Sequence, residues 1–135
     1  GIAYETAENT WPDQPTATMA RGNLAWKLGR QDEARGHFLR AATRFPEFAE
    51  GWNKRATVRF LVGNYEGSIE DIRKTLALEP RHFGALSGLG MIHTNQERWF
   101  AAMAAFEQAL RIHPHLIGVR HTINKLQQQL RKEST

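Results

Sequence analysis

Apolar residues recur at spacings of three and four in seven stretches of the chain, and the first six each stop at a glycine, an asparagine or a proline. Over 15–28 the stripe is weak, made of Met19, Leu24, Ala25 and Leu28, and it breaks at Gly29. Pro15 suits the first turn of that helix. Asp32 opens a second helix carrying Ala34, Phe38, Leu39, Ala41 and Ala42, which ends before Pro46. The pair then recurs. Helices are predicted over 48–62 and 65–78, split by Gly63 and Asn64, with Ile69, Ile72, Leu76 and Leu78 forming the second stripe before Pro80. A third pair spans 83–94 and 98–112, split near Asn95, and its second member carries Trp99, Phe100, Ala102, Met103, Phe106, Ala109 and Leu110 before Pro114. Beyond it, Leu116, Val119, Ile123, Leu126 and Leu130 predict one amphipathic helix over 117–131 with an outer face rich in Gln and Lys. Residues 1–14 have no such stripe and read as an irregular lead-in, in which Trp11 is expected to dock on the body; 132–135 read as a tail.

Pro46, Pro80 and Pro114 each stand 34 residues from the next, the period of a two-helix repeat. Units of 15–48, 49–82 and 83–116 follow, and the predicted class is all-α. A stack of such units needs a polar-faced terminal element to stay soluble, and 117–131 fits that role as a capping helix.

Set against this ruler, the chain resembles the tetratricopeptide repeat, with its W-x2-L-G-x2-Y, A-x3-F, A and closing P. The third unit carries Leu89-Gly90, Ala102, Phe106, Ala109 and Pro114; the first carries Gly22, Ala34, Phe38, Ala41 and Pro46. The second keeps Trp52 and Pro80, with Ala56, Ser68, Ile72 and Thr75 as substitutes of similar size. Small residues at 56, 68 and 102 let paired helices approach to about 8–10 Å. The resemblance implies a right-handed superhelix of three repeats closed by the capping helix. Two positions depart from the pattern: Arg21 and Arg55 stand where Leu belongs, and Ala25, Arg59 and His93 where Tyr belongs. A buried unpaired guanidinium costs several kcal/mol, so these arginines are expected to reach a carboxylate, a carbonyl or solvent, with Glu70 and Asp71 as candidates.

In proteins similar to this, the first helix of each repeat lines a groove. The matching positions are Thr16, Met19, Asn23, Trp26 and Lys27, then Glu50, Asn53, Thr57, Phe60 and Leu61, then Gly84, Ser87, Met91, Thr94 and Asn95. Of these, Met19, Asn23, Trp26, Lys27, Asn53, Thr57, Phe60, Leu61, Ser87, Met91 and Asn95 are the expected partner-binding residues, the alternative being that some of them pack against the lead-in with Trp11. Aromatic and Met side chains beside amides suit a peptide or helix, whose backbone the amides satisfy and whose side chains the apolar groups grip. One variety of the family holds an acidic peptide terminus with a Lys, Asn, Asn, Lys, Arg clamp. Here only Asn23 matches, the others being Met19, Lys54, Gly84 and Gly88, so that ligand is not expected.

Composition narrows the rest. The chain has 135 residues, 41% hydrophobic and 24% charged, as one globular domain does, and no apolar run reaches the roughly 20 residues of a membrane helix. It lacks cysteine, which excludes disulfides, thiol catalysis and thiolate-held zinc. Because it begins at Gly1 rather than Met, it reads as a processed or excised product, which leaves room for a targeting segment lost ahead of Gly1. The net charge is +4, and from Glu107 onward Arg111, Arg120, Lys125, Arg131 and Lys132 outnumber Glu107 and Glu133 by three. No aromatic follows Ile117, so a nucleic-acid stacking surface is not expected.

His113, His115 and His121 lack a Cys or a close carboxylate to complete a metal site, LSGLG lies within a helix rather than a strand-turn-helix, and GALSGLG follows no strand. Neither cofactor nor metal nor enzyme activity is expected. The function implied is a non-enzymatic adaptor that binds a peptide or helix of a partner protein in its concave groove. The alternative is a structural subunit of a larger assembly, RNA- or membrane-associated, joined through its outer face and basic C-terminal helix. Self-association through the C-terminal end stays open. The runs EGWNKRAT at 50–57 and LEPRHFGALSGLG at 78–90 also resemble bacterial tetratricopeptide proteins that are often exported, which favours a periplasmic or organellar location over the cytoplasm.

Overall fold

The computed structural model describes residues 14–134, so the expected lead-in and Trp11 lie outside the described residues. Seven α-helices and no strand occur among the described residues: α1 Pro15–Lys27, α2 Gln31–Arg44, α3 Ala49–Leu61, α4 Tyr65–Leu78, α5 Phe83–Asn95, α6 Trp99–Ile112 and α7 Ile117–Glu133. First helices begin at residues 15, 49, 83 and 117, each 34 after the last. The chain is a right-handed superhelix of three helix-turn-helix repeats with α7 as the cap. Helix α7 runs two residues beyond the expected 131, so Lys132 and Glu133 belong to it rather than to a tail. The Trp99 indole N–H donates to Glu133 Oε1 at 3.1 Å and fastens that last turn to α6.

Within each repeat the turn uses a left-handed residue, again at intervals of 34: Gly29 (φ 76°), Gly63 (φ 82°) and Glu97 (φ 58°). Glycine adopts that conformation freely, whereas Glu97 carries a strain of about 1–2 kcal/mol.

The paired helices close on one contact. At Gly22 an added Cβ would lie 2.5 Å from the Phe38 ring, and at Gly90 it would lie 2.6 Å from Phe106. The aromatic of the second helix thus sits directly on the backbone of the first. In the central repeat the volumes are exchanged, Ala56 facing Ile72 within one buried cluster with Ala85 and Ile92. Successive repeats are joined the same way: Gly51 of α3 approaches the Ala41–Ala42 backbone, where a Cβ would find atoms at 3.3 Å. Trp52 is buried and donates from its indole to the Pro46 carbonyl at 2.8 Å. At the end of the stack Ile123 and Leu126 of α7 cover Ala102 and Phe106.

The central repeat has a polar interior. Ser68, Asp71 and Thr75 are all buried. Ser68 Oγ donates to the Ala56 carbonyl at 2.7 Å and Thr75 Oγ1 to the Asp71 carbonyl at 2.9 Å. Arg55 grips Asp71 with two donors, Nε to Oδ2 at 2.9 Å and Nη2 to Oδ1 at 2.8 Å, while Arg59 Nη1 reaches Asp71 Oδ1 at 3.4 Å and the Gly67 carbonyl at 3.3 Å. The expected carboxylate partner is therefore Asp71; Glu70 is exposed. Several residues assigned to apolar stripes are also exposed: Leu24 and Leu28 on α1, Leu39 on α2, Leu78 on α4 and Phe100 on α6. The buried stripes are narrower than the apolar spacing suggested, because small residues carry the closest contacts.

Removing one partner of a buried, hydrogen-bonded ion pair leaves uncompensated charge. Asp71→Ala is expected to lower the unfolding free energy by about 3–5 kcal/mol in urea titrations, whereas Glu70→Ala changes it by less than about 0.5 kcal/mol.

Candidate functional site

Because the second helices turn their large side chains onto the first, the other face of α1, α3 and α5 is left to line the concave surface. A cavity of about 250 Å³ opens there between α3 and α5. Asn53, Thr57, Phe60 and Leu61 form its α3 wall, and Gly84, Ser87, Gly88 and Met91 its α5 wall. Ala56, Ser68, Ile72 and Ile92 also line it and are buried. A smaller cavity of about 50 Å³, between α1 and α3, is lined by Asn23, Trp26, Phe38, Lys54, Thr57 and Val58. Thr57 borders both, so the two depressions adjoin across α3.

The larger cavity brings together Asn53, Thr57, Phe60, Leu61, Ser87 and Met91 of the expected groove, and the smaller one Asn23 and Trp26. Lys27 and Asn95 sit exposed at the ends of α1 and α5 and line neither depression. Met19 is a correction. It is buried in the first core cluster with Phe38, Ala41 and Val58, because in the first repeat this position turns toward α2 and α3 rather than toward the groove.

Local contacts hold the walls. The Asn53 amide donates to Glu50 Oε1 at 3.0 Å, and Glu50 Oε2 lies 3.2 Å from His82 Nε2. His82 caps α5, its Nδ1 accepting from the Ala85 N–H at 3.0 Å. With Nδ1 an acceptor, the ring proton sits on Nε2 and is donated to Glu50. This bridge ties the start of α3 to the start of α5, and sequence reasoning missed it because it joins residues 32 apart across the repeat boundary. The Thr57 hydroxyl donates to the Asn53 carbonyl at 3.1 Å, and the Phe60 ring leans on Tyr65 with centroids 5.6 Å apart. No lining residue of the larger cavity ionises; Lys54 is the charged group of the smaller.

Among the described residues no group of three or more His, Asp or Glu side chains is placed to hold a metal ion. The His113 and His115 rings stand edge to face with centroids 6.4 Å apart, and His113 packs against Phe83 at 5.1 Å. These histidines are packing and turn residues.

The model of the tetratricopeptide repeat family matches residues 3–51 and 53–116. The chain belongs to the tetratricopeptide repeat family. Members of that family are in general non-catalytic protein-interaction modules. Among relatives, a TPR repeat-containing protein of Rhizobium etli is 36% identical over 124 residues, covering 89% of this chain and 61% of that protein. The Hsp70-Hsp90 organizing protein of Triticum aestivum is 31% identical over 101 residues, covering 75% of this chain and 17% of that protein. This chain thus spans about three-fifths of the first relative and about a sixth of the second. Among solved structures, the first TPR domain of Spaghetti (RPAP3), bound to the HSP90 peptide SRMEEVD, matches with a TM-score of 0.81 at 21% identity over 86% of this chain and 92% of that one. MamA matches with a TM-score of 0.83 at 17% identity over 95% of this chain and 75% of its own. At these identities the two structures show the fold.

His93, at the family's tyrosine position on α5, is partly buried and its Nδ1 has no hydrogen-bond partner. Burial, reinforced by the nearby Arg98 charge, holds its pKa below the ordinary 6.5. The unfolded chain therefore takes up a proton at this site at higher pH than the folded one. Stability from this residue is complete above 6.5 and falls as pH drops from there toward the depressed folded value. Urea midpoints measured between pH 7 and 5 are expected to decline less in His93→Gln than in the parent chain.

Proposed function

We propose that this tetratricopeptide protein is a non-enzymatic adaptor that holds a segment of a partner protein along the concave face of α1, α3 and α5. The observation that carries this is the pair of adjoining depressions meeting at Thr57, walled by the half-buried rings of Trp26 and Phe60 and by the exposed Leu61 and Met91. Rigid aromatics with adaptable apolar neighbours and a few amides are the surface chemistry that grips a peptide. A structure of similar fold is solved with a bound peptide, which supports a peptide as the class of ligand. Its acidic ligand does not transfer. Of the clamp positions, Met19 is buried in the core, and Gly84 and Gly88 present no side chain to a carboxylate.

A contact through the outer face is the second reading. It rests on Phe100, 76% exposed on α6 beside a depression of about 450 Å³ that Trp99 and Leu130 also line.

Affinity capture from the source cell, followed by mass spectrometry, tests the groove reading. Trp26→Ala with Phe60→Ala is expected to abolish partner capture while the helical circular dichroism is retained. Leu61→Glu with Met91→Glu, both at exposed positions, places charge in the same groove without touching the core and is expected to do the same. Capture that survives both pairs contradicts the proposal.

A further inference from the structure

Two glycines of α5 have opposite meanings. Gly90 is imposed by packing, since the Phe106 ring occupies the place of any Cβ. Gly88 is not: a Cβ there would meet only Ile72 Cδ1, at an ordinary 3.7 Å. A mid-helix glycine costs about 0.5–1 kcal/mol relative to alanine, and the helix contacts at 88 do not require it. Ile72 and Gly88 both line the cavity between α3 and α5, so a side chain at 88 would project into that cavity.

Resting on the groove reading, we propose that this cavity receives one bulky uncharged apolar side chain, of leucine, methionine or phenylalanine size, carried by the partner segment. Its volume of about 250 Å³ lies below the roughly 300–1,000 Å³ of small-molecule pockets and leaves room for a side chain of that size. The floor of Ala56, Ile72 and Ile92 is apolar, and two hydroxyl protons at the cavity are already committed: Ser68 donates to the Ala56 carbonyl and Thr57, in the α3 wall, to the Asn53 carbonyl. A carboxylate or ammonium entering there loses its water and finds no countercharge among the lining residues, while an apolar group loses nothing. Asn53 and Ser87, half-buried in the walls, supply an amide and a hydroxyl for the segment's backbone. The charge character of the cavity thus selects against the acidic terminus that the Lys and Arg clamp of other family members would take.

The test is a selection from a phage-displayed library of random decapeptides on the wild-type chain, followed by titration of one enriched peptide. Enriched sequences are expected to share a Leu, Met or Phe at a fixed position. Gly88→Leu fills the cavity from within; it is expected to melt at or above the wild-type temperature and to bind the peptide about 10- to 100-fold more weakly. Replacing the peptide's anchor by Asp is expected to weaken binding to wild type by at least as much, and this arm leaves the protein unaltered. Replacing it by Ala should cost little further on Gly88→Leu, since both changes remove one contact. Failure to enrich any sequence contradicts the groove reading itself. Enriched peptides with an acidic anchor, or equal affinity for Gly88→Leu or for the Asp peptide, overturn the cavity assignment and leave the groove reading standing. A dimer in sedimentation that Gly88→Leu dissociates would make a second copy the occupant, and that also overturns the proposal.

Discussion

The contact on which the structure depends is the one between residues 16 apart in each repeat: Gly22 under Phe38, Ala56 against Ile72, Gly90 under Phe106. It fixes the distance between paired helices, because an aromatic ring lies where the first helix would otherwise carry a Cβ. Where the second helix offers a smaller side chain, the first offers a larger one, so the summed volume is held while the residues change. In α7 the equivalent position is Asn124, exposed to solvent, and no second helix follows among the described residues. On the same helix Ile123 and Leu126 turn inward onto Ala102 and Phe106.

From this contact the candidate binding surface follows. The large residues of the second helices are spent on the first, and the first helices are free to show their remaining face to the groove. The central repeat adds a second constraint. Asp71 is buried and held by Arg55 and Arg59, both from α3, whose other face carries Thr57, Phe60 and Leu61. A buried ion pair is no better for stability than well-packed apolar groups. It joins α3 to α4 through three side-chain hydrogen bonds to one carboxylate. The Glu50 and His82 bridge links α3 to α5 across the repeat boundary.

The architecture was legible in the sequence because the repeated contact leaves a repeated trace: small residues at 22, 56 and 90, larger ones at 38, 72 and 106, and prolines 34 apart. The resemblance pointed to six residues of α3 and α5 that line the larger cavity, Asn53, Thr57, Phe60, Leu61, Ser87 and Met91, and to Asn95, which does not. It misplaced Met19, which is buried in the first core cluster. Spacing could not separate Glu70 from Asp71. The two are neighbours about 100° apart around α4, and only the helix pairing shows which one faces α3. The exposed Leu24, Leu28 and Phe100 were invisible to spacing, since an apolar stripe is wider than the strip that packing covers. The cavity was hidden because it is made by side chains that are missing, at Gly84 and Gly88. The Glu97 turn was hidden because nothing in a glutamate announces a left-handed backbone.

The most direct test of a concave binding face compares two exposed apolar positions on opposite kinds of helix. A photo-crosslinking phenylalanine is placed at Leu61 on α3, 56% exposed in the groove, and separately at Phe100 on α6, 76% exposed on a second helix. Irradiated in the source cell, the Leu61 variant is expected to yield a discrete partner adduct and the Phe100 variant none. An adduct from Phe100 with none from Leu61 would contradict the account.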